Sequence, residues 1–354
     1  MRIVSDLLAQ ALRPERTSDQ VLEIGGEGDL PLDVAELHPD ANIVWIATDV
    51  REESRLAGTI SIDVRSDPAR PLSEGERFDA VLLPVPPDRR LTRRWLVLAA
   101  EVLADGGMLA MAGANTEGIK SAIADAKALF GPARSENYAQ KHRVARFAGG
   151  VPPDSQPEWT TQPGIAPGTW EEVAVNIGQG MLSLATLPGV FAGNRLDVGT
   201  SLLLDHLHVV AGSRVLDVGC GAGAIGLSAL RLGASQVDMI DVNLLAVAAV
   251  RETVARQAIA NAHVFASDVY DALPGERYDL IVSNPPFHQG KTIDYTMPER
   301  LLREAPAHLH PDGSVLIVAN AFLTYGRELE RIFRNVEVVA ATRQYHVLKA
   351  ASPR

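Results

Sequence analysis

Along the first 148 residues, short apolar runs alternate with stretches in which apolar residues recur every three or four positions. VLEIGG (21–26), IVWIATDV (43–50), FDAVLLPVP (78–86) and GMLAMAG (107–113) have the length and apolar density of buried strands. LTRRWLVLAAEVLA (91–104) and IKSAIADAKALFG (119–131) carry helical spacing. Strands alternating with helices predict an α/β domain built on a parallel sheet. Residues 149–170 break the alternation: they hold five prolines and no periodicity, and read as a linker. VAVNI and MLSLATL then flank Gly178-Gln179-Gly180, a predicted β-hairpin. From Arg214 the alternation returns in RVLDVG, QVDMIDV, HVFASDV, YDLIVSN and SVLIVAN.

The two halves repeat each other. VLEIGGEGD (21–29) recurs as VLDVGCGAG (215–223), and WIATDV (45–50) as DMIDV (238–242). FDAVLLPVPP (78–87) recurs as YDLIVSNPPF (278–287), and ADGGMLAMAGAN (104–115) as PDGSVLIVANAF (311–322). Any two α/β domains share apolar strands, but not DGG against DGS or PVPP against NPPF in one order. The pattern implies an internal duplication.

The copies differ where chemistry would sit. The strand Tyr278–Ser283 ends in Asn284-Pro285-Pro286-Phe287. Proline donates no N–H, so two in succession end strand pairing and leave carbonyls without ladder partners. The Asn284 side-chain oxygen and the Pro285 carbonyl can then accept from one exocyclic amine, and Phe287 offers a ring to stack on. In the first half Asn284 is replaced by Pro84 and Phe287 by Pro87.

Asp217, Gly219, Gly221 and Gly223 form a second motif between a strand and a helix, where glycines allow close approach of a ligand to backbone. Its counterpart is Glu23, Gly25, Gly26, Glu27 and Gly28, with an extra carboxylate in the turn. Gly221-x-Gly223-x-x-Gly226 with Asp241 further on also satisfies the nicotinamide fingerprint. Asp217 ahead of Gly219 makes the D-x-G-x-G form of S-adenosylmethionine-dependent methyltransferases, and an NPPF loop has no role in hydride transfer. The methyltransferase reading is therefore preferred.

Composition narrows the class. With 33 basic against 44 acidic residues and net charge −11, a wholesale basic surface for gripping nucleic acid is absent. One cysteine, Cys220, excludes a disulfide framework and a cysteine-built metal site, and no metal is expected. The first residues lack a secretory h-region and no apolar run reaches membrane-spanning length, so the expectation is a cytoplasmic protein without membrane partners. Basic residues gather in RRLTRRW (89–95) and in 325–354, and either stretch could meet phosphates.

LPGVFAGNRLDVGTSLLLD (187–205), VLDVGCGAGAIGLSA, VFASDVYD (264–271) and SNPPFHQG together resemble bacterial small-subunit ribosomal RNA guanine-N2 methyltransferases of the RsmC type. The large-subunit RlmG enzymes are near relatives of that family. GANTEGIKSAIADAKALFG extends the resemblance to the family's catalytically dead amino-terminal domain. The implied fold is α/β with two tandem Rossmann-like class I methyltransferase domains. Residues 1–148 would be the degenerate copy, 149–170 the linker and 171–354 the catalytic domain.

What the resemblance implies is methyl transfer from S-adenosylmethionine to a guanine N2 amine in ribosomal RNA, most simply 16S rRNA, by a monomer. Gly219, Gly221 and Gly223 would hold the cofactor's methionine part, with Cys220 packed in that loop and Asp217 orienting the amino end. Asp241, followed by Val242, would take the ribose hydroxyls. Asp268 would take the adenine amine, with Val269 against the ring. Asn284, Pro285, Pro286 and Phe287 would hold the target base, with Asn284 also lining the cofactor site. The segment with Arg195, Asp197 and Gly199 closes over the cofactor in the family, and His288 is a further substrate candidate. Aspartates at strand ends also serve commonly as caps and turn residues. A 23S rRNA guanine, adenine N6, a release-factor glutamine, and a non-enzymatic RNA-binding assembly role stay open as alternatives.

Overall fold

The protein is described by a computed structural model covering residues 2–12, 20–26, 29–56, 62–70, 72–149, 156–176, 180–191, 196–285, 296–323 and 325–354. Its chain divides into two compact units, Met1–Glu171 with Leu187–Gly189, and Glu172–Thr186 with Val190–Arg354.

In the first unit the strands are β1 (Gln20–Ile24), β2 (Asn42–Ile46), β3 (Ile62–Arg65), β4 (Phe78–Pro84), β5 (Leu103–Ala114), β6 (Ser135–Ala139) and β7 (His142–Ala148). They form one sheet in the order β3-β2-β1-β4-β5-β7-β6. β1 to β5 run parallel, and β7 pairs antiparallel with both β5 and β6. The helices are α1 (Arg2–Ala9), α2 (Asp29–Leu37), α3 (Val50–Leu56), α4 (Arg89–Val102) and α5 (Ile119–Phe130). Of the stretch read as a linker, the described part packs on this unit. Trp159 lies under the Arg93 guanidinium, 4.9 Å from ring centroid to carbon, and Ile165 is fully buried.

β8 (Glu171–Asn176) and β9 (Met181–Thr186) pair as the expected hairpin, whose Gly178 and Gln179 lie outside the described residues. The second unit then repeats the first. α6 (Val198–Asp205), β10 (Arg214–Val218), α7 (Ala224–Arg231), β11 (Gln236–Asp241), α8 (Leu244–Arg256), β12 (Ala262–Ala266) and β13 (Tyr278–Ser283) come first. α9 (Thr296–Glu304), β14 (Leu309–Asn320), α10 (Tyr325–Ile332), β15 (Phe333–Ala341) and β16 (Tyr345–Pro353) follow. The sheet order is β12-β11-β10-β13-β14-β16-β15, the same as in the first unit. Both sheets reverse direction of winding beside their first strand, between β1 and β4 and between β10 and β13. Ligands of open α/β sheets bind at the carboxyl ends of strands at such a point.

Small structural details recur with the topology. Asp79 accepts the backbone N–H of Gln20 at 3.0 Å, and Asp279 accepts that of Arg214 at 2.8 Å. The acid at the second position of β4 and β13 thus closes the amino end of a neighbouring strand. The DGG and DGS motifs sit at matching register shifts, Phe78/Ala80 against β5 and Tyr278/Leu280 against β14. A Cβ on Gly107 would stand 2.8 Å from the Ala104 carbonyl oxygen, and one on Gly313 2.8 Å from that of Tyr278. Glycine is required there by backbone packing alone.

β3, β6, β7, β15 and β16 are absent from the strand runs expected above. β6 (SENYA) is an edge strand with no fully buried residue, so no apolar run marks it. β15 likewise places Arg334, Asn335 and Glu337 on exposed positions.

Candidate active site

β10 runs into Gly219, Gly221 and Gly223 with φ of +71°, +54° and +85°, a turn that L side chains rarely adopt. The turn is fastened to β11: Gly219 and Cys220 donate their N–H groups to the Ile240 carbonyl at 2.8 and 3.0 Å. Gly221 N–H donates to Asp241 Oδ2 at 2.9 Å, while Asp241 Oδ1 accepts from Asn243 N–H at 2.9 Å. Val242 is half-buried immediately after β11. Cys220 is buried, and burial pushes its thiol well above the ordinary range, so no thiolate nucleophile is available here.

Asp217 is fully buried at the end of β10. Its Oδ2 accepts the Gly226 N–H at 2.8 Å, but its Oδ1 is buried without a partner among the described residues. Burial pushes its pKa up to about 7, Asp241 adds to the rise, and the Gly226 bond opposes it. An acceptor with one satisfied oxygen beside a glycine turn is a docking point for a cationic or N–H-bearing group.

β13 ends beside β10 across the switch point. Ser283 Oγ donates to the Val218 carbonyl at 2.7 Å, anchoring the strand end. The next residue, Asn284, donates its amide nitrogen to Thr200 Oγ1 at 2.8 Å and to Asp197 Oδ2 at 3.2 Å. Asp197 is also the N-cap of α6, accepting from Gly199 and Thr200 N–H at 2.8 and 3.2 Å. One small cavity is lined by Phe191, Thr200, Gly219, Gly221, Ile225 and Asn284, so the glycine turn and the β13 end share a space. Pro285 is buried behind Asn284. Pro286, Phe287, His288 and Arg195 lie outside the described residues.

Asp268 and Val269 follow β12 along the same edge, where Ser267 N–H donates to the Asp241 carbonyl at 3.0 Å. Val269 has φ +50°, an outlier for a β-branched residue. Ser267 holds it there: its Oγ donates to the Val269 carbonyl at 2.8 Å and accepts from Ala272 N–H at 3.0 Å. Arg300 of α9 reaches Asp268 twice, at the carboxylate and the carbonyl, both 3.2 Å, and also pairs with Asp271 and Glu304. Neither Thr200 nor Arg300 was signalled by the sequence. Thr200 lies unremarked inside the 187–205 run and Arg300 in no motif, and each meets its partner only through the fold.

The first unit differs at every matching point. Glu23 stands in place of Asp217, is fully buried, and has both carboxylate oxygens without partners among the described residues. Its pKa is raised well above the ordinary value by burial and by Asp33. Gly226 N–H serves Asp217, whereas no N–H among the described residues reaches either oxygen of Glu23. A Cβ on Gly26 would stand 2.8 Å from Pro84 Cγ, so the ring that replaces Asn284 lies directly on the turn.

The arginines of RRLTRRW are engaged within the first unit. Arg89 and Arg93 both grip Asp125, Arg90 pairs with Glu171 at 2.7 Å, and Arg94 donates to the Gly164 and Ala69 carbonyls. They tie the 156–171 stretch and α5 onto α4, which explains a basic run without invoking phosphates.

Residues 181–349 match the model of the methyltransferase small domain family. The ribosomal RNA small subunit methyltransferase C of Pseudomonas entomophila is 38% identical over 274 residues, 77% of this chain and 79% of that protein. That of Vibrio vulnificus is 32% identical over 334 residues, covering 94% and 93%. Among solved structures, the T. thermophilus 16S rRNA N2 methyltransferase RsmC, in complex with AdoMet and guanosine, matches with a TM-score of 0.83. Its sequence is 27% identical, and the match spans 99% of this chain and 92% of that one. With relatives this similar over this much of their length, the chain belongs to the ribosomal RNA small subunit methyltransferase C family.

Proposed function

We propose that the second unit transfers the methyl group of S-adenosylmethionine to the exocyclic N2 amine of a guanine in 16S ribosomal RNA. The observation that carries this reading is Asn284 at the switch point. Its amide nitrogen is engaged by Thr200 and Asp197, and its Oδ1 accepts nothing among the described residues. That oxygen and the Pro285 carbonyl accept the two N–H groups of one amine. The guanine N2 lone pair is delocalised into the ring, and drawing both protons aside turns it toward the methyl donor. S-adenosylmethionine supplies an already electrophilic methyl on a sulfonium, so alignment provides most of the rate. A paired base cannot reach a strand end, so the target guanine is unpaired or flipped, with Phe287 as its stacking surface.

The chain's own groups fit that cofactor. The unpartnered Asp217 Oδ1 is placed for its ammonium end, and the turn through Gly219, Gly221 and Gly223 brings backbone against its methionine part. Asp241 accepts ribose hydroxyls in addition to its loop bonds, since each carboxylate oxygen accepts more than one. Asp268, oriented by Arg300, accepts the adenine amine while the constrained Val269 covers the ring.

The first unit is read as a non-catalytic scaffold, the described linker residues as part of its surface, and the working species as a cytoplasmic monomer. No helix among the described residues is long and apolar enough to cross a membrane. The test is labelled methyl transfer to small subunits, large subunits and free rRNAs from a strain lacking the enzyme, with mapping of the product. N2-methylguanine in 16S rRNA is expected; label confined to large subunits, to adenine or to protein would replace this substrate with another.

A further inference from the structure

We propose that Asp197 and Thr200 are positioning residues that lock the Asn284 amide, so that the target must present an N–H donor; this rests on the guanine-N2 reading above. An asparagine amide can turn over, exchanging an acceptor for a donor at nearly the same place. Here it cannot turn without cost. Asp197 is a carboxylate and only accepts, so a reversed amide would set the Asn284 oxygen against Asp197 Oδ2, now 3.2 Å from its nitrogen. The same reversal would break the 2.8 Å bond to Thr200 Oγ1. With both N–H groups committed to one wall, Oδ1 is left as the group that faces a substrate. A base edge carrying an amine is then matched, and one carrying a carbonyl meets a like acceptor.

The geometry makes the lock stiff. Thr200 is 5% exposed, and the Asp197 carboxylate is itself held by two backbone N–H groups of the first turn of α6. Tyr345, at the start of β16, backs that turn: a Cβ on Gly199 would come 3.3 Å from its ring. The other copy has lost the lock as a unit. α1 and α6 hold the same place ahead of their sheets and share a serine at the fourth position, Ser5 and Ser201. On that alignment Thr200 corresponds to Val4 and Asp197 to Met1, while Asn284 corresponds to Pro84. A threonine kept only for helix packing would have no reason to disappear along with the amide it holds.

The experiment compares the full-length chain with Thr200→Val, Thr200→Ser, Asp197→Ala and Asn284→Ala, and with the Thr200→Val/Asn284→Ala double variant. Single-turnover methylation of small subunits from a strain lacking the enzyme is expected to slow about tenfold in Thr200→Val, with S-adenosylmethionine affinity within about twofold of normal. Thr200→Ser should recover most of the rate. In the Asn284→Ala background, Thr200→Val should cost less than about twofold more, because the two act through one amide. Equal slowing in both backgrounds, or a loss of cofactor affinity as large as the loss of rate, would overturn the lock. A second measurement does not need turnover. With S-adenosylhomocysteine bound, guanosine should bind more tightly than inosine, which lacks the amine, and Thr200→Val and Asp197→Ala should erase that preference. An unchanged preference sinks the proposal. A wild-type chain that prefers guanosine but methylates no small-subunit guanine would instead overturn the assigned substrate and leave the lock standing.

Discussion

Asn284 and Asp217 both sit at the ends of strands buried on two faces, yet they differ in how completely they are satisfied. The Asn284 nitrogen has two partners, and its oxygen is the group left for a substrate. Asn284→Ala should therefore bind S-adenosylmethionine normally, since the glycine turn and Asp241 do not depend on it. Its single-turnover rate should fall by on the order of a hundredfold, the scale for losing one preorganised polar group at a transition state. A near-normal rate would remove Asn284 from the chemistry. Asp217 has a partner for one oxygen only, and burial lifts its pKa to about 7. An unfolded aspartate ionises near pH 4, so between about pH 4 and 7 the folded chain holds a proton that the unfolded chain has lost. Stability contributed by this group is full below about pH 4 and is lost as pH rises through 7. Glu23, raised in the same direction, adds to that loss. Asp217→Asn keeps an acceptor for Gly226 and cannot ionise. Its ligand-free melting temperature should thus equal or exceed that of the parent at pH 8, with the advantage shrinking toward pH 5. A parent chain that gains stability from pH 5 to 8 relative to Asp217→Asn would contradict the assigned burial. The same variant should bind S-adenosylmethionine more weakly, because the ammonium end loses its counter-charge.

At the scale of elements, each proposed cofactor contact is supplied by the end of one strand and held by something outside that strand. β12 delivers Asp268, but Arg300 on α9 and Ser267 in the turn decide how it is presented. Arg300→Met keeps the aliphatic stem and removes the pairing. Because the pair is partly exposed, its loss should be modest, with cofactor Kd rising roughly three- to tenfold and melting nearly unchanged. Unaltered affinity by calorimetry would mean the strained Ser267–Val269 turn alone places Asp268. Such supports explain what was legible in the sequence. The glycine turn and Asn284-Pro285 could be read because their chemistry demands fixed residue types at fixed spacing, and the central strands because burial on both faces leaves continuous apolar runs. Thr200 and Arg300 could not: their partners lie 84 and 32 positions away, and one threonine or arginine in a helix carries no mark. The β6–β7 and β15–β16 strands escaped for a different reason, since polar, half-exposed edge strands lack the pattern that reveals buried ones. The repeated DGG and DGS signalled duplication correctly, though what they preserve is a bulge in the sheet and no part of the chemistry.

For the whole molecule, net charge is −11, and an α4 arginine run engaged by Asp125, Glu171 and backbone carbonyls is taken out of non-specific attraction to RNA. Discrimination must come mainly from one site, and the duplication raises the question of whether there are two. Three independent features argue that the first unit holds no cofactor. Pro84 lies on the glycine turn at the place where the second unit keeps its cavity. Glu23 is a longer acid than Asp217, buried with no amide to receive among the described residues. Burial and Asp33 raise its pKa well above the ordinary value, which disfavours the charged form that an ammonium would need. Calorimetric titration of the full chain should accordingly give one S-adenosylmethionine per molecule. Glu23→Gln should leave that stoichiometry, the affinity and methyl transfer unchanged, while raising stability at neutral pH by removing a buried ionisable group. Asp241→Ala should weaken the single binding event by on the order of 1–3 kcal/mol, the cost of an unmade polar contact, without uncovering a second. Two cofactors per chain, or a residual stoichiometric site after Asp241→Ala that Glu23→Gln then abolishes, would show that the first unit binds after all.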